Sequence, residues 1–221
     1  AWHQHTTGGS GVFESVTTVP EGDEDAVYVV VRRTLGEVEK RYIERVADEY
    51  RGETADLPDA YYVDCGLTYS GASTTSVAGL DHLEGEAVSY LADGVAGTGT
   101  VTGGALTLTT AATEVHVGLG FTVQIKTLPL SMLRLDATGS GRRKNVNQVW
   151  VRIFQSGAFD AGPSATNLSP SLTPAAGLLL TDLVQVTLPA SWDDDGQIFI
   201  QQDTPLPLTV SGLTIEVASG G

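Results

Sequence analysis

The sequence predicts an all-β protein: a sheet-rich, sandwich-like domain with a small β-barrel inserted in it. Three observations predict this. Apolar residues recur at spacing two rather than three and four, the period of a strand and not of a helix. The apolar runs are short and broken by Gly, Thr, Ser and Pro, with turn signals about every 8–12 residues, as in sandwiches and barrels. A single cysteine, Cys65, excludes an internal disulfide framework and a multi-cysteine zinc site, so packing must hold the fold together. At 221 residues the chain is long enough to bury a core of that kind.

Taken in order, Trp2 to Val16 already alternates like a strand within a sheet, with no initiator Met; Met132 is the only methionine. We therefore expect a piece of a longer polypeptide. Val27, Val29 and Val31 share one face of the next strand, and Tyr28, Val30 and Arg32 the other. Arg41 to Val46 alternates likewise, and Gly36 between the two predicts a hairpin whose Arg and Glu residues form solvated cross-strand pairs. Residues 47–60, rich in Asp, Glu, Gly and Pro58, read as an exposed loop with one helical turn. From 64 to 127 the composition shifts to Gly, Thr, Ser and Ala with many short strands, which is the expected inserted barrel. Residues 1–63 and 128–221 would then form one discontinuous domain around it. Val149, Val151 and Ile153 face one way and Trp150, Arg152 and Phe154 the other. Residues 155–178, with Pro163, Pro170 and Pro174, read as a long surface loop; Gln197–Asp203, Pro205–Val210 and Leu213–Val217 close the sheet.

Formal charge is −15, from 27 acidic and 12 basic residues, which argues against the whole chain wrapping nucleic acid through phosphates. The imbalance is uneven. Arg134, Arg142, Arg143, Lys144 and Arg152 meet only Asp136 between positions 134 and 152, so this stretch is the one basic surface to expect. Arg142, Arg143 and Lys144 have two readings: a DNA-facing surface that holds phosphate without reading bases, or a contact with an acidic patch on a neighbouring subunit. The net charge ranks the subunit contact first. No apolar run is long enough to span a bilayer and no charged-then-apolar stretch reads as a leader in this sequence, so we expect no membrane partner and read the chain as soluble.

Other constellations have simpler explanations. His3 and His5 project to one side of a strand and could share a metal with Glu14, but a pair lacks the third protein ligand of a stable site. Cys65 with Asp81 and His82 invites a nucleophile, base and orienter reading, whereas isolated cysteines usually pack as small hydrophobes. His82 and Glu84 then fix a turn through the backbone. The acidic clusters at 21–25 and 193–196 lack the ligand spacing of an EF-hand and read as solvated turns. No cofactor, metal site or catalytic residue is expected.

Four blocks carry a family resemblance: Trp2 to Arg33 with its "VVRR" strand, Gly79-Leu80-Asp81-His82-Leu83-Glu84-Gly85 with Asp93-Gly94, Gly141-Arg142-Arg143-Lys144 before the Val149 strand, and Asp203 to Val210. In order and spacing they resemble the tail tubular or nozzle proteins of short-tailed and some long-tailed bacteriophages. Their shared order, rather than any single block, carries the weight. Some of those proteins contain a small β-barrel labelled by analogy with an insert of ubiquitin-activating enzymes; no nucleotide-binding glycine loop follows a strand here, so that chemistry is set aside. The resemblance implies the C-terminal part of a virion structural protein that is not an enzyme. It would be made in the host cytoplasm and assemble into a ring, sixfold by analogy, that extends the DNA conduit. Its partners would be copies of itself, portal or adaptor proteins and tail fibres or spikes, with transient non-specific passage of DNA. The alternative is a host-surface carbohydrate- or receptor-binding module in which Trp2, Trp150, Trp192 and the Tyr61-Tyr62 pair stack on sugars.

Overall fold

A computed structural model describes residues 4–22, 24–48, 50, 52, 54–130 and 143–219. The fold is all-β. Among the described residues, fourteen strands form four antiparallel sheets, and the helical content is two short 3-10 turns, Thr54–Asp59 and Asp81–Leu83. Among the described residues no helix is long and apolar enough to cross a membrane. The chain divides into two compact units, 1–121 with 204–206, and 122–203 with 207–221.

In the first unit, β1 (Val12–Glu21), β2 (Glu24–Leu35) and β3 (Val38–Arg45) form a three-stranded meander in that order. Gly36 and Glu37 make the β2–β3 turn with φ of 54° and 64°, the left-handed pair that a two-residue I′ loop requires. A second sheet, ordered β4-β7-β5-β6, is built from Asp64–Ala78, Ala105–Leu119, Ala87–Ala92 and Val95–Thr100. Register shifts along the long β4–β7 pair bend both strands around a core of Val77, Leu80, Leu83, Val88, Leu106, Val115 and Val117. Leu35 belongs to that core and Tyr42 packs on it, so this end of the meander is anchored by burial.

The second unit is sandwich-like. One sheet is ordered β11-β10-β13-β8, from Asn167–Pro170, Asp160–Ser164, Phe199–Gln202 and Val123–Lys126; the other is β12-β9-β14, from Leu180–Thr187, Lys144–Ser156 and Val210–Ser219. Val149, Val151, Ile153, Val184 and Val186 of one sheet and Ala161, Ile198 and Ile200 on the other side share one core. The predicted alternation of β9 is observed: Val149, Val151 and Ile153 are buried, while Arg152 and Phe154 are exposed.

The units divide at 121/122 rather than at 63/64 and 127/128. Strand β8 pairs with β13 and Ile125 packs on the second core, while residues 1–63 cluster with the sheet that follows them. The four strands from 64 to 119 have β4 and β6 at the ends of their order, and no ladder between those two closes a barrel among the described residues. The segment 155–178 is also not a continuous loop. It contains β10 and β11, because Phe159 and Ala161 reach the core and Gly162 lets the Asn167 carbonyl approach to where a Cβ would stand.

Candidate functional site

The expected basic cluster does not form a surface of three cations. Arg143 is exposed, Arg142 lies outside the described residues, and Lys144 is only 1% exposed. Lys144 opens β9, exchanges backbone hydrogen bonds with Asp193 (2.6 and 3.1 Å), and its ammonium donates to the Asp194 carbonyl at 2.6 Å. Burial among its own unit's atoms withdraws it from contact with DNA or a neighbour. The Asp193 carboxylate in turn accepts from the amides of Asp195 (2.9 Å) and Gly196, so the acidic block at 193–196 is a self-capped turn stapled to Lys144. No group of three or more His, Cys, Asp or Glu among the described residues is placed to hold a metal. His3 lies outside them; His5 turns to Asp64 at 3.1 Å and stacks edge-on against Phe121.

Cys65 and His82, far apart in sequence, do meet, but through the wrong atom for nucleophilic chemistry. His82 Nε2 sits 3.0 Å from the Cys65 backbone carbonyl. Burial, and then the Glu44 carboxylate, push the Cys65 thiol up to about 12, so it stays protonated at neutral pH. Glu84 accepts from the Gly103 and Gly104 amides at 3.0 and 2.7 Å, which hold its carboxyl below the usual range. His82 and Glu84 thus fix backbone, as the sequence led us to expect.

The polar centre that sequence reasoning missed lies beside Cys65. Arg33 is 1% exposed, and its Nε and Nη2 donate to the two Glu44 oxygens at 2.8 and 2.7 Å while Nη1 donates to the Gly8 carbonyl. Burial opposes the guanidinium charge most strongly, but the fork to Glu44 outweighs it and the net shift is upward. Asp64 gathers the N-terminal segment in the same way, accepting from Thr7 Oγ1 (2.7 Å) and the Gly8 amide (3.2 Å). The available signal was spacing: Arg33 falls two residues from Val31 and Leu35, on the face that enters the core.

What remains exposed is β1 and most of β3. All ten residues of β1 are exposed, among them Val12, Phe13, Val16 and Val19, and Ile43 on β3 is 78% exposed. One face carries an ion-pair ladder: Glu14 with Arg41 (2.6 Å) and Arg32 (3.2 Å), Arg32 with Glu39 (2.5 Å), and Glu21 with Arg45 (3.1 Å). The Arg41 bond, reinforced by both arginine charges, lowers the Glu14 carboxyl, and the Tyr28 hydroxyl does the same for Glu21. Among the aromatic residues, Trp192 is 48% exposed and Trp150 half-buried; Tyr61 packs edge-on against His116 and Trp2 lies outside the described residues. The fold and its surface define an all-β protein with a three-stranded ribbon whose edge strand β1 is exposed along its length. No protein-family model and no curated protein sequence matches this chain.

Proposed function

We propose that the chain is a structural component of a phage or prophage tail, of the tubular or nozzle type, acting in the virion. It assembles into a ring that extends the DNA conduit and meets portal or adaptor and fibre or spike proteins. The observation that carries this reading is the β1–β3 ribbon, which leaves a full strand edge and its valines uncovered while Glu14, Glu21, Arg32, Arg41 and Arg45 pair with one another within it. Burial of strand edges and apolar side chains between copies is how such a ring would be held. The order of the four sequence blocks supports the family reading, and the acidic net charge suits a lumen along which DNA slides without adhering. Arg143 is the described member of the basic cluster that remains free of burial to meet an acidic neighbour. Native mass measurement of the full-length protein, with electron microscopy, tests the proposal: closed rings support it, and a monomer that binds host glycan tightly overturns it.

One observation favours the second reading, a carbohydrate-binding module: the exposed indole of Trp192. A glycan array in which Trp192→Ala abolishes binding would establish it.

A further inference from the structure

We propose that residues 5–9 are a strap latched by the Asp64 carboxylate, and that it opens as one piece to uncover an apolar spot formed by Leu35 and Leu119. This device belongs to the single chain and stands or falls apart from the ring reading.

The strap is a cover. Its carbonyls face β2 beyond Val12, where the β1–β2 ladder stops: the Thr34 amide donates to the Gly9 carbonyl at 3.2 Å, and the Arg33 guanidinium donates to the Gly8 carbonyl. Beneath it lie two leucines of the first core. A Cβ at Gly8 would stand 2.8 Å from Leu119 Cβ, and one at Gly9 2.7 Å from Leu35 Cδ2, so bare backbone is what fits against them and keeps them buried.

What holds the strap down is polar. Between positions 4 and 11 only Thr7 is buried, and the glycines bring no side chain to the core. His5 adds an edge-on contact with Phe121, but it is itself exposed. Three donors converge instead on one acceptor: Thr7 Oγ1 at 2.7 Å, the Gly8 amide at 3.2 Å and His5 Nε2 at 3.1 Å all reach Asp64 Oδ2. Bonds to an ionised carboxylate are the strong kind, while a segment with so little apolar burial opens at low cost compared with the core. Asp64 opens β4 and pairs with Leu119, so the latch stands on the sheet and not on the strap. Because the donors lie within four residues and share that one group, its neutralisation frees them together.

Hydrogen exchange on the full chain tests this. Asp64→Asn removes the charge and keeps the shape; we expect the Gly8 and Thr34 amides to exchange at least about tenfold faster, with those of Val115 and Val117 on β7 unchanged. Gly9→Ala attacks from the other side, since its side chain meets Leu35 at a position with φ of 64°, and it should give the same footprint. On a Leu119→Cys background, a maleimide should label position 119 at least about tenfold faster once Asp64→Asn is added, with peptide mapping to keep it apart from the buried Cys65. Unaltered protection of Gly8 and Thr34 in Asp64→Asn, or unaltered labelling at 119, overturns the inference. So does faster exchange that spreads to Val115 and Val117 in both variants, which would make the segment part of the core. Should Asp64→Asn alone disturb the fold, seen by circular dichroism, the Gly9→Ala footprint and its labelling at 119 decide.

Discussion

The ribbon β1–β3 and the sheet β12-β9-β14 are built alike, each a long central strand with an antiparallel strand on either side, yet they end in opposite environments. In the second, Val149, Val151 and Ile153 of the central strand are buried, and Val184 and Val186 of β12 with them. A four-stranded sheet supplies Ala161 and Ile200 to the same core. In the ribbon the central strand buries Ala26, Val31, Arg33 and Leu35, while β1 buries nothing. The difference teaches that alternation specifies a strand and its two faces, whereas cover is a property of what the chain places opposite. Where cover is complete, stability concentrates; where it is missing, the surface is left for a partner.

Substitutions in the two regions and their surroundings break or sharpen that contrast. Val151→Asp places an unpaired carboxylate at a site with no exposure, and we expect it to prevent the second unit from folding, seen as loss of its cooperative denaturant transition. The matching change in the ribbon, Val16→Asp, sits at a position 68% exposed and should leave that transition unaltered. Next comes the one buried charge at the ribbon's anchored end. Arg33→Met leaves the Glu44 carboxylate without its fork and should cost about 3–5 kcal/mol in urea unfolding, partly recovered by adding Glu44→Gln.

A pH effect of intermediate size belongs to His116. Its Nε2–H donates to the Pro58 carbonyl and its Nδ1 accepts from Thr68, both at 2.8 Å, and burial depresses its pKa below the ordinary 6.5. The unfolded chain therefore takes up a proton before the folded one does. Stability from this group is complete above about pH 6.5 and is lost as pH falls toward the depressed folded value, by at most about 1.4 kcal/mol per pH unit. Urea midpoints at pH 7.5 and 5.5 should differ, and His116→Asn should flatten that difference; an unchanged slope would refute the assignment. Smaller still is Asp93→Ala. Burial raises this carboxyl, but the Glu114 amide (2.8 Å) and the Thr113 amide and hydroxyl bring it net below its ordinary value, and their loss should cost about 1 kcal/mol in thermal unfolding. Arg41→Ala, in the exposed ladder, should leave the melting midpoint where it was, within the error of calorimetry.

Much of this was legible along the chain. The β2 and β3 hairpin and the inward valines of β9 rest on residues close in sequence or on strict alternation, and His82 and Glu84 hold backbone as read, although their partners lie 17 to 20 positions away. Lys144 and Arg33 were not legible in this way. Both look like surface cations in a list of residues, and it is partners such as the Asp194 carbonyl, 50 positions on, and Glu44 across the hairpin with the Gly8 carbonyl that make their burial tolerable. The boundary at 121/122 was hidden for a related reason: β8 is short, and its four residues declare their unit only by pairing with β13.

The sequence by itself determined the class of fold, the faces of the long strands and the turns, because period-two burial and left-handed turn positions are encoded within a few residues. Tertiary structure decided which strands share a sheet, which cations go inside and which edge stays open. Those outcomes depend on partners many positions away, and a buried charge or a bare strand edge acquires its energy only from what stands opposite it.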